Sequence, residues 1–292
     1  MEKVLVVFVN YNGMKDTVEA IQSVENSNYQ ADIIVVDNAS LLNEAELLKE
    51  QFPKIQIIRS LENLGFSGGN NLGIKYGLEN GYDYIILLNN DTVIDSEMIG
   101  TLVKNADSNT VAVPAMYYYS NPKRIWFGGG VLHLHKGYPK HLHEGEEVEL
   151  PPVVDCTFAT GCCWCVHRAI FQRIGFLNEE FFMYAEDTDF CIRLMRAGIK
   201  IKLISVAMLW HKVSMSSGVD SDFNIYYNTR NGLYCLAKNR DVFKWSAYPY
   251  SLFKLYKKIF INYLKGNSKW RAYYKGLRDF QHGVMGKVDS YI

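Results

Sequence analysis

The chain has 292 residues, 48% of them apolar and 21% charged, with 31 Lys and Arg against 31 Asp and Glu. Those proportions suit one large α/β domain with an appendage, or two modest domains, around a sizeable core. A net charge of zero gives no ground for a nucleic-acid partner, and no run approaches the ~18 uncharged apolar residues that would predict a transmembrane helix.

The neutral total hides an asymmetry. From Lys238 to Ile292 there are 12 Lys and Arg against 3 Asp and Glu, a net +9, which leaves −9 on the remainder. A basic tail on an acidic body predicts an anionic surface as the tail's partner.

In chain order, MEKVLVVFVNYNG has a short apolar stretch with no small-residue cleavage site behind it, so it reads as a first strand and not a signal peptide. VLVVFV (4–9), IIVV (33–36), IQII (55–58), YIILL (84–88) and VAV (111–113) are short, continuously apolar and rich in β-branched residues, as buried parallel strands are. Helical patterns separate them. Val18, Ile21 and Val24 share a face after Asn12, and Leu72, Tyr76 and Leu78 follow a Gly-rich turn. Ser96 is placed to cap a helix carrying Met98, Ile99, Leu102 and Val103. Such alternation predicts a doubly wound, mostly parallel sheet flanked by helices.

Residues 116–160 lose this rhythm, and HLHKGYPKHLH predicts a hairpin. Its histidines His133, His135, His141 and His143 read as an exposed loop or acceptor surface in preference to a closed metal site. Six cysteines do not make a disulfide scaffold in a chain of this size and fit a reducing cytosol. Cys162 and Cys165 in CTFATGCCWCVH would point to opposite faces of a strand, with no second pair to complete a zinc site. Residues 187–197 form a helical pattern stopped by Gly198. IKLISVAMLW reads as a further strand ending at His211. Near the C-terminus, Leu252, Leu255, Tyr256, Ile259, Phe260, Tyr263 and Leu264 share one face of a helix surrounded by Lys254, Lys257, Lys258 and Lys265. That is a basic amphipathic helix. It suits either a membrane surface or packing on the catalytic domain or on a second subunit.

Four successive strands end in Asn or Asp: Asn10-Tyr11-Asn12, Asp37-Asn38, Asn63, and Asn89-Asn90-Asp91. One such end is ordinary turn chemistry. Four at one rim of an open parallel sheet predict a ligand crevice. No G-x-G-x-x-G follows the first strand, and GFSGGNN lacks a P-loop lysine, so a dinucleotide cofactor is disfavoured. Amides and isolated carboxylates with few cations nearby would meet phosphate through a divalent cation on oxygen ligands such as Asp91.

VNYNG, VVDNAS, ENLGFSGGNNLGI, LLNNDT and FFMYAEDTDFCIRLMRAG, followed by LWH, occur in that order. Together they closely resemble the family 2 glycosyltransferases of GT-A fold, especially the rhamnosyltransferase-like branch, over about residues 3–240. The resemblance implies a GT-A, Rossmann-like α/β catalytic domain over 1–236, with a nucleotide-binding half to about 115 and an acceptor and catalytic half over 116–236. A basic helical extension occupies 237–292. It further implies that Asp37 reads the nucleobase edge and that Asn10, Tyr11, Asn12 and Asn90 line the nucleotide pocket, with base and ribose contacts from Asn63, Gly65 and Asn70. Asp91 matches the last carboxylate of a D-x-D metal motif whose first carboxylate is Asn89 here, which leaves one fewer charge on Mn2+ or Mg2+. His211 matches the family's metal-binding histidine.

The carboxylates of YAEDTDF have an ordinary reading too. Glu186, Asp187 and Asp189 complement a helix N-terminus, and Asp189 has Arg193 four residues on as a surface pair of small value. Asp187 matches the family's catalytic base, which takes the acceptor hydroxyl's proton in an inverting transfer. Arg230 is read either as closing over the diphosphate or as a helix-surface arginine.

The resulting expectation is a metal-dependent inverting glycosyltransferase of cell-surface polysaccharide synthesis. Its donor is a nucleotide sugar, dTDP-rhamnose before UDP-sugars, and its acceptor a saccharide or polyprenyl-linked saccharide. It is placed in the cytoplasm or at the inner face of the membrane, with a homo-oligomer left open. An inactive nucleotide-binding partner protein is the second reading, and a sugar-nucleotide pyrophosphorylase the third.

Overall fold

A computed structural model describes residues 2–213 and 221–290. The first half alternates strand and helix: β1 (Val4–Asn10), α1 (Met14–Glu25), β2 (Asp32–Asp37), α2 (Glu44–Gln51), β3 (Gln56–Arg59), α3 (Gly65–Glu79) and β4 (Tyr84–Leu88). β3, β2, β1 and β4 pair in parallel in that spatial order. Leu5 to Phe8 and Ile85 to Leu87 are fully buried, as continuous apolar strands covered on both faces should be. α3 lies very close to this sheet. A Cβ at Gly73 would stand 2.2 Å from Val7 Cγ1, so only glycine permits that approach.

β5 (Thr92–Ile94), α4 (Met98–Asn105) and β6 (Thr110–Tyr118) come next. The helix begins two residues after Ser96, with no side-chain cap, and Asp95 Oδ1 instead accepts the Glu97 amide at 2.9 Å. The carboxylate at the preceding turn has displaced the expected serine cap. β6 does not adjoin β4. Between them runs β11 (Cys163–His167), antiparallel to both, so the sheet is mixed and not purely parallel.

The inserted region supplies β7 (Asn121–Phe127), the expected hairpin of β8 (Gly130–His133) and β9 (Tyr138–His141), and the edge strand β10 (Val153–Cys156). After β11 come α5 (Arg168–Ile174), α6 (Glu186–Arg196) and β12 (Lys200–His211), the last parallel to β6. The main path of the sheet is therefore β10-β12-β6-β11-β4-β1-β2-β3. The six cysteines are all free, and Cys162, Cys163 and Cys165 are buried.

α7 (Asp222–Lys238), α8 (Ala247–Leu264) and α9 (Lys269–Gln281) close the chain. α9 packs on α7 through Tyr226, Ala272 and Leu277, and Leu255 of α8 fills a small core with Leu233 and Leu277. Among the described residues, no helix is long and apolar enough to cross a membrane.

Candidate functional site

The parallel register sets the ends of β1 and β2 level, Asn10 against Asp37. Neither is free to turn. Asn10 is buried, and its Nδ2 donates to Glu44 Oε2 at 2.7 Å and lies 3.2 and 3.3 Å from Ser40 Oγ and Asp37 Oδ1. Its Oδ1 accepts from Thr17 Oγ1 (2.8 Å), which in turn accepts from Asn90 Nδ2 (2.8 Å). The first and fourth strand ends are thus joined by one amide–hydroxyl–amide chain. Asn10 and Asn90 brace the rim through these bonds, while Tyr11 between the two turns stays half exposed.

Asn12 sits at φ +53, its amide donating to Ser40 Oγ and its Oδ1 accepting from the Leu41 amide. Asn38 holds the third rim segment: Nδ2 donates to Asn63 Oδ1 (3.1 Å) and Gly65 O (3.0 Å), while Oδ1 accepts from the Leu64 amide (2.9 Å). Asn70 lies inside α3 and donates to Phe66 O. Within this frame Asp37 Oδ2 is buried without a hydrogen-bond partner, and the nearest cation, Arg59 Nε, stands 3.8 Å away. An unsatisfied buried carboxylate oxygen is costly unless a ligand supplies the donor.

Asp91 follows β4. β5 pairs with the end of β12, Thr92 opposite His211, and this brings His211 Nε2 to 3.2 Å from Asp91 Oδ1. The His211 ring packs edge-on against Trp126 at 4.3 Å between centroids, and its Nδ1 is buried without a partner. Next to it, Lys212 Nζ bridges Asp16 and Glu19 of α1 at 2.6 Å each. Trp126 and Lys212 carry no motif signal, yet they orient this corner. Asp91 and His211 fit a divalent cation that takes one or two protein ligands and completes its shell with water and phosphate oxygens. Among the described residues no third His, Cys, Asp or Glu joins them. Asn89, two residues before Asp91, donates its backbone amide to Cys162 O.

Asp187 lies in the first turn of α6, and Gly161 and Cys162 run between it and the Asn89 segment. A Cβ at Gly161 would lie 3.0 Å from the Phe66 ring and 3.8 Å from Asp187 Cβ, while Cys162 O accepts from Asn89. The chain before α6 is strained, with Phe182, Tyr184 and Ala185 at φ +53, +69 and +71. It is held by Asn231, fully buried, whose Nδ2 lies 2.6, 2.8 and 3.1 Å from the carbonyls of Phe181, Met183 and Tyr184. Phe182 O also accepts the Phe66 amide, at Gly65, whose φ of +71 leaves no room for a Cβ beside that carbonyl. The third strand-end segment and the loop before α6 are thereby locked together.

Desolvation pushes the Asp187 carboxyl up to about 6, against hydrogen bonds from the Thr188 amide and hydroxyl that favour the charged form. Burial raises Glu186 further, and its Oε2 has no partner. Glu186 stands with Asp187 and Asp189 in the first turn of α6, where the sequence places it. Asp189 is no surface group. It is 2% exposed and bound at 2.9 Å to Nε of Arg193, whose side chain is partly exposed. Arg230 also departs from a helix surface. It is fully buried, stacked on Tyr226 and Tyr227, and donates to Asn231 Oδ1 and Gly286 O. Of the hairpin histidines, His141 is enclosed by Trp126, Phe127 and Phe158, and its burial pushes the imidazole pKa down.

The model of the glycosyl transferase family 2 matches residues 5–175. The chain is 29% identical over 243 residues to a low-salt glycan biosynthesis hexosyltransferase of Haloferax volcanii, covering 79% of this chain and 74% of the relative. It is 25% identical over 241 residues to the dTDP-rhamnosyl transferase RfbF of Shigella flexneri, covering 80% and 79%. Among solved structures, a mannosyltransferase from Pyrobaculum calidifontis in complex with GDP-Man and Mn2+ superposes with a TM-score of 0.59 at 14% identity, covering 87% of this chain and 74% of that one.

Proposed function

Because this chain belongs to glycosyl transferase family 2, we propose that it is an inverting, metal-dependent transferase moving rhamnose from dTDP-rhamnose to a saccharide or lipid-linked acceptor in polysaccharide synthesis. That it is a glycosyltransferase rests on the family and on relatives that are hexosyl- and rhamnosyltransferases. The donor is favoured by the resemblance to a dTDP-rhamnosyl transferase.

The observation that supports the mechanism is the Gly161–Cys162 turn, which lies against Asp187 on one side and on the other accepts the amide of Asn89, two residues before Asp91. Asp37 Oδ2 accepts the ring N–H of the nucleobase, and the braced turns at Asn12, Asn63 and Gly65 wall the nucleoside. Asp91 and His211 would hold a divalent cation, which bound there would neutralise charge on the diphosphate leaving group. Asp187 takes the acceptor hydroxyl's proton as its oxygen attacks the anomeric carbon, and the electrons of the glycosyl–phosphate bond leave with the diphosphate. Attack opposite the leaving group inverts the anomeric centre.

The test is thermal unfolding with dTDP, UDP and GDP, each with and without Mn2+. At 100 times its Kd a ligand adds about 2.7 kcal/mol, a shift of several degrees. A Mn2+-dependent shift with dTDP that vanishes in Asp91→Ala supports the reading, and Asp187→Asn should retain the shift while losing turnover. A folded protein that no nucleotide stabilises would sink it.

A further inference from the structure

α8 is amphipathic in an unexpected sense. Leu252, Leu255 and Ile259 turn toward α7 and α9, but the neighbouring stripe of Phe253, Tyr256, Phe260, Tyr263 and Leu264 does not. Phe253 is 70% exposed, Phe260 60% and Leu264 66%. Spacings of three, four, three and one put these five on one arc of the helix. Trp270 and Tyr274 of α9 continue the arc, and together with Tyr256, Ile259, Phe260 and Tyr263 they line an open groove of about 420 Å3. Isolated exposed apolar residues are ordinary; a contiguous aromatic row marks an interaction surface.

Charge indicates what covers it. Between Val242 and Arg278 the chain carries nine Lys and Arg and no Asp or Glu. Lys257 and Lys265 are exposed on α8 and Arg271 on α9, while Lys254, also exposed, sits over the Tyr138 ring of the hairpin. A two-fold pairing of this face with itself would set lysine against lysine. Aromatic rings bordered by lysines match the boundary between acyl chains and anionic headgroups, where the rings sit at headgroup depth and the cations meet phosphate. We infer that the α8–α9 face is a docking surface for an anionic lipid bilayer, on which the protein lies without spanning it.

This reading is independent of the donor and of the residues assigned to catalysis. It is tested on the full chain by flotation with vesicles of phosphatidylcholine alone and with added phosphatidylglycerol. Retention should require phosphatidylglycerol and weaken with salt. Each lysine near an anionic surface is worth about fivefold in affinity, so Lys257→Gln with Lys265→Gln should weaken retention about 25-fold. Phe260→Ser with Leu264→Ser should remove what survives at high salt. Both double variants change exposed side chains, so unaltered melting temperatures should accompany the loss. No retention by phosphatidylglycerol vesicles, or variants retained like the parent, would overturn the inference. So would self-association in sedimentation that Phe260→Ser abolishes without any vesicle binding, because the occupant would then be a second copy.

Discussion

Asp187 is the residue whose environment makes a pH prediction. Its carboxyl is raised to about 6 by desolvation, and the proposed role needs the carboxylate. kcat/KM should therefore rise through pH 6 to a plateau and fall on acidification, a limb that titrating the rate would reveal. Stability runs the other way. A folded pKa above the unfolded value means the native state binds more protons between about 4 and 6, so stability declines as pH rises through that window. Asp187→Asn should accordingly melt higher than the parent at pH 7 while losing turnover; a lower melting temperature would show the carboxylate to be a structural anchor. Asn231 makes the complementary case. Asn231→Ala removes the donor to three carbonyls of the strained 181–184 segment, at a cost of about 1–3 kcal/mol. Its kcat should fall more than its KM rises, because donor contacts are untouched. Asp91, Asp187 and His211 stand out as candidates in the sequence because motif order carries them. The clamp that Asn231 forms does not, since its partners lie about 50 residues upstream and no spacing announces them.

Elements differ in legibility for a physical reason. Strands buried on both faces announce themselves as unbroken apolar runs, and YIILL forms β4 over the expected residues. Direction within the sheet leaves no such mark: CWCVH reads alike whether β11 runs with its neighbours or against them, so the antiparallel insertion before β6 is invisible in the sequence. α2 escapes the periodicity because its buried Glu44, Ala45 and Leu48 offer only a short stripe. The fit of α3 on β1 supports a double-mutant test. Gly73→Ala drives a Cβ to 2.2 Å from Val7 Cγ1 and should destabilise by about 1–3 kcal/mol in urea unfolding. Val7→Ala opens a cavity in the parent, but it should cost less, or help, in the Gly73→Ala background. Additive effects would mean that α3 shifts off the sheet as a body. In α6 the pairing of buried Asp189 with partly exposed Arg193 predicts a larger loss. Arg193→Met leaves an uncompensated buried carboxylate, worth about 3–5 kcal/mol, where a surface pair would give under ~1 kcal/mol.

At the scale of the whole molecule, the basic C-terminal segment and the catalytic body are tied together at the point where the chemistry is proposed. Gly286 accepts from buried Arg230 and donates its amide to Glu180 O, Tyr226 donates to Asp279 Oδ2 at 2.7 Å, and Tyr227 OH accepts the Val288 amide. Arg230 in turn donates to Asn231, the residue that clamps the segment before Asp187. Composition separates a basic end from an acidic body, but it cannot show these bonds. Helical period cannot show which half of the α8 stripe is covered either, since both halves are apolar. Removing α9 together with the residues C-terminal to it would uncover Arg230 and Tyr226 and release Glu180. A chain ending at Asn267 should therefore melt lower and lose turnover even where dTDP still shifts its unfolding, because the loop carrying Asp187 loosens while the strand-end rim stays intact. The Lys257→Gln, Lys265→Gln variant provides the contrast: full turnover on a soluble acceptor with vesicle retention lost. If the truncated chain instead kept full turnover, the extension would be an appendage, and the clamp at Asn231 would have to stand without it.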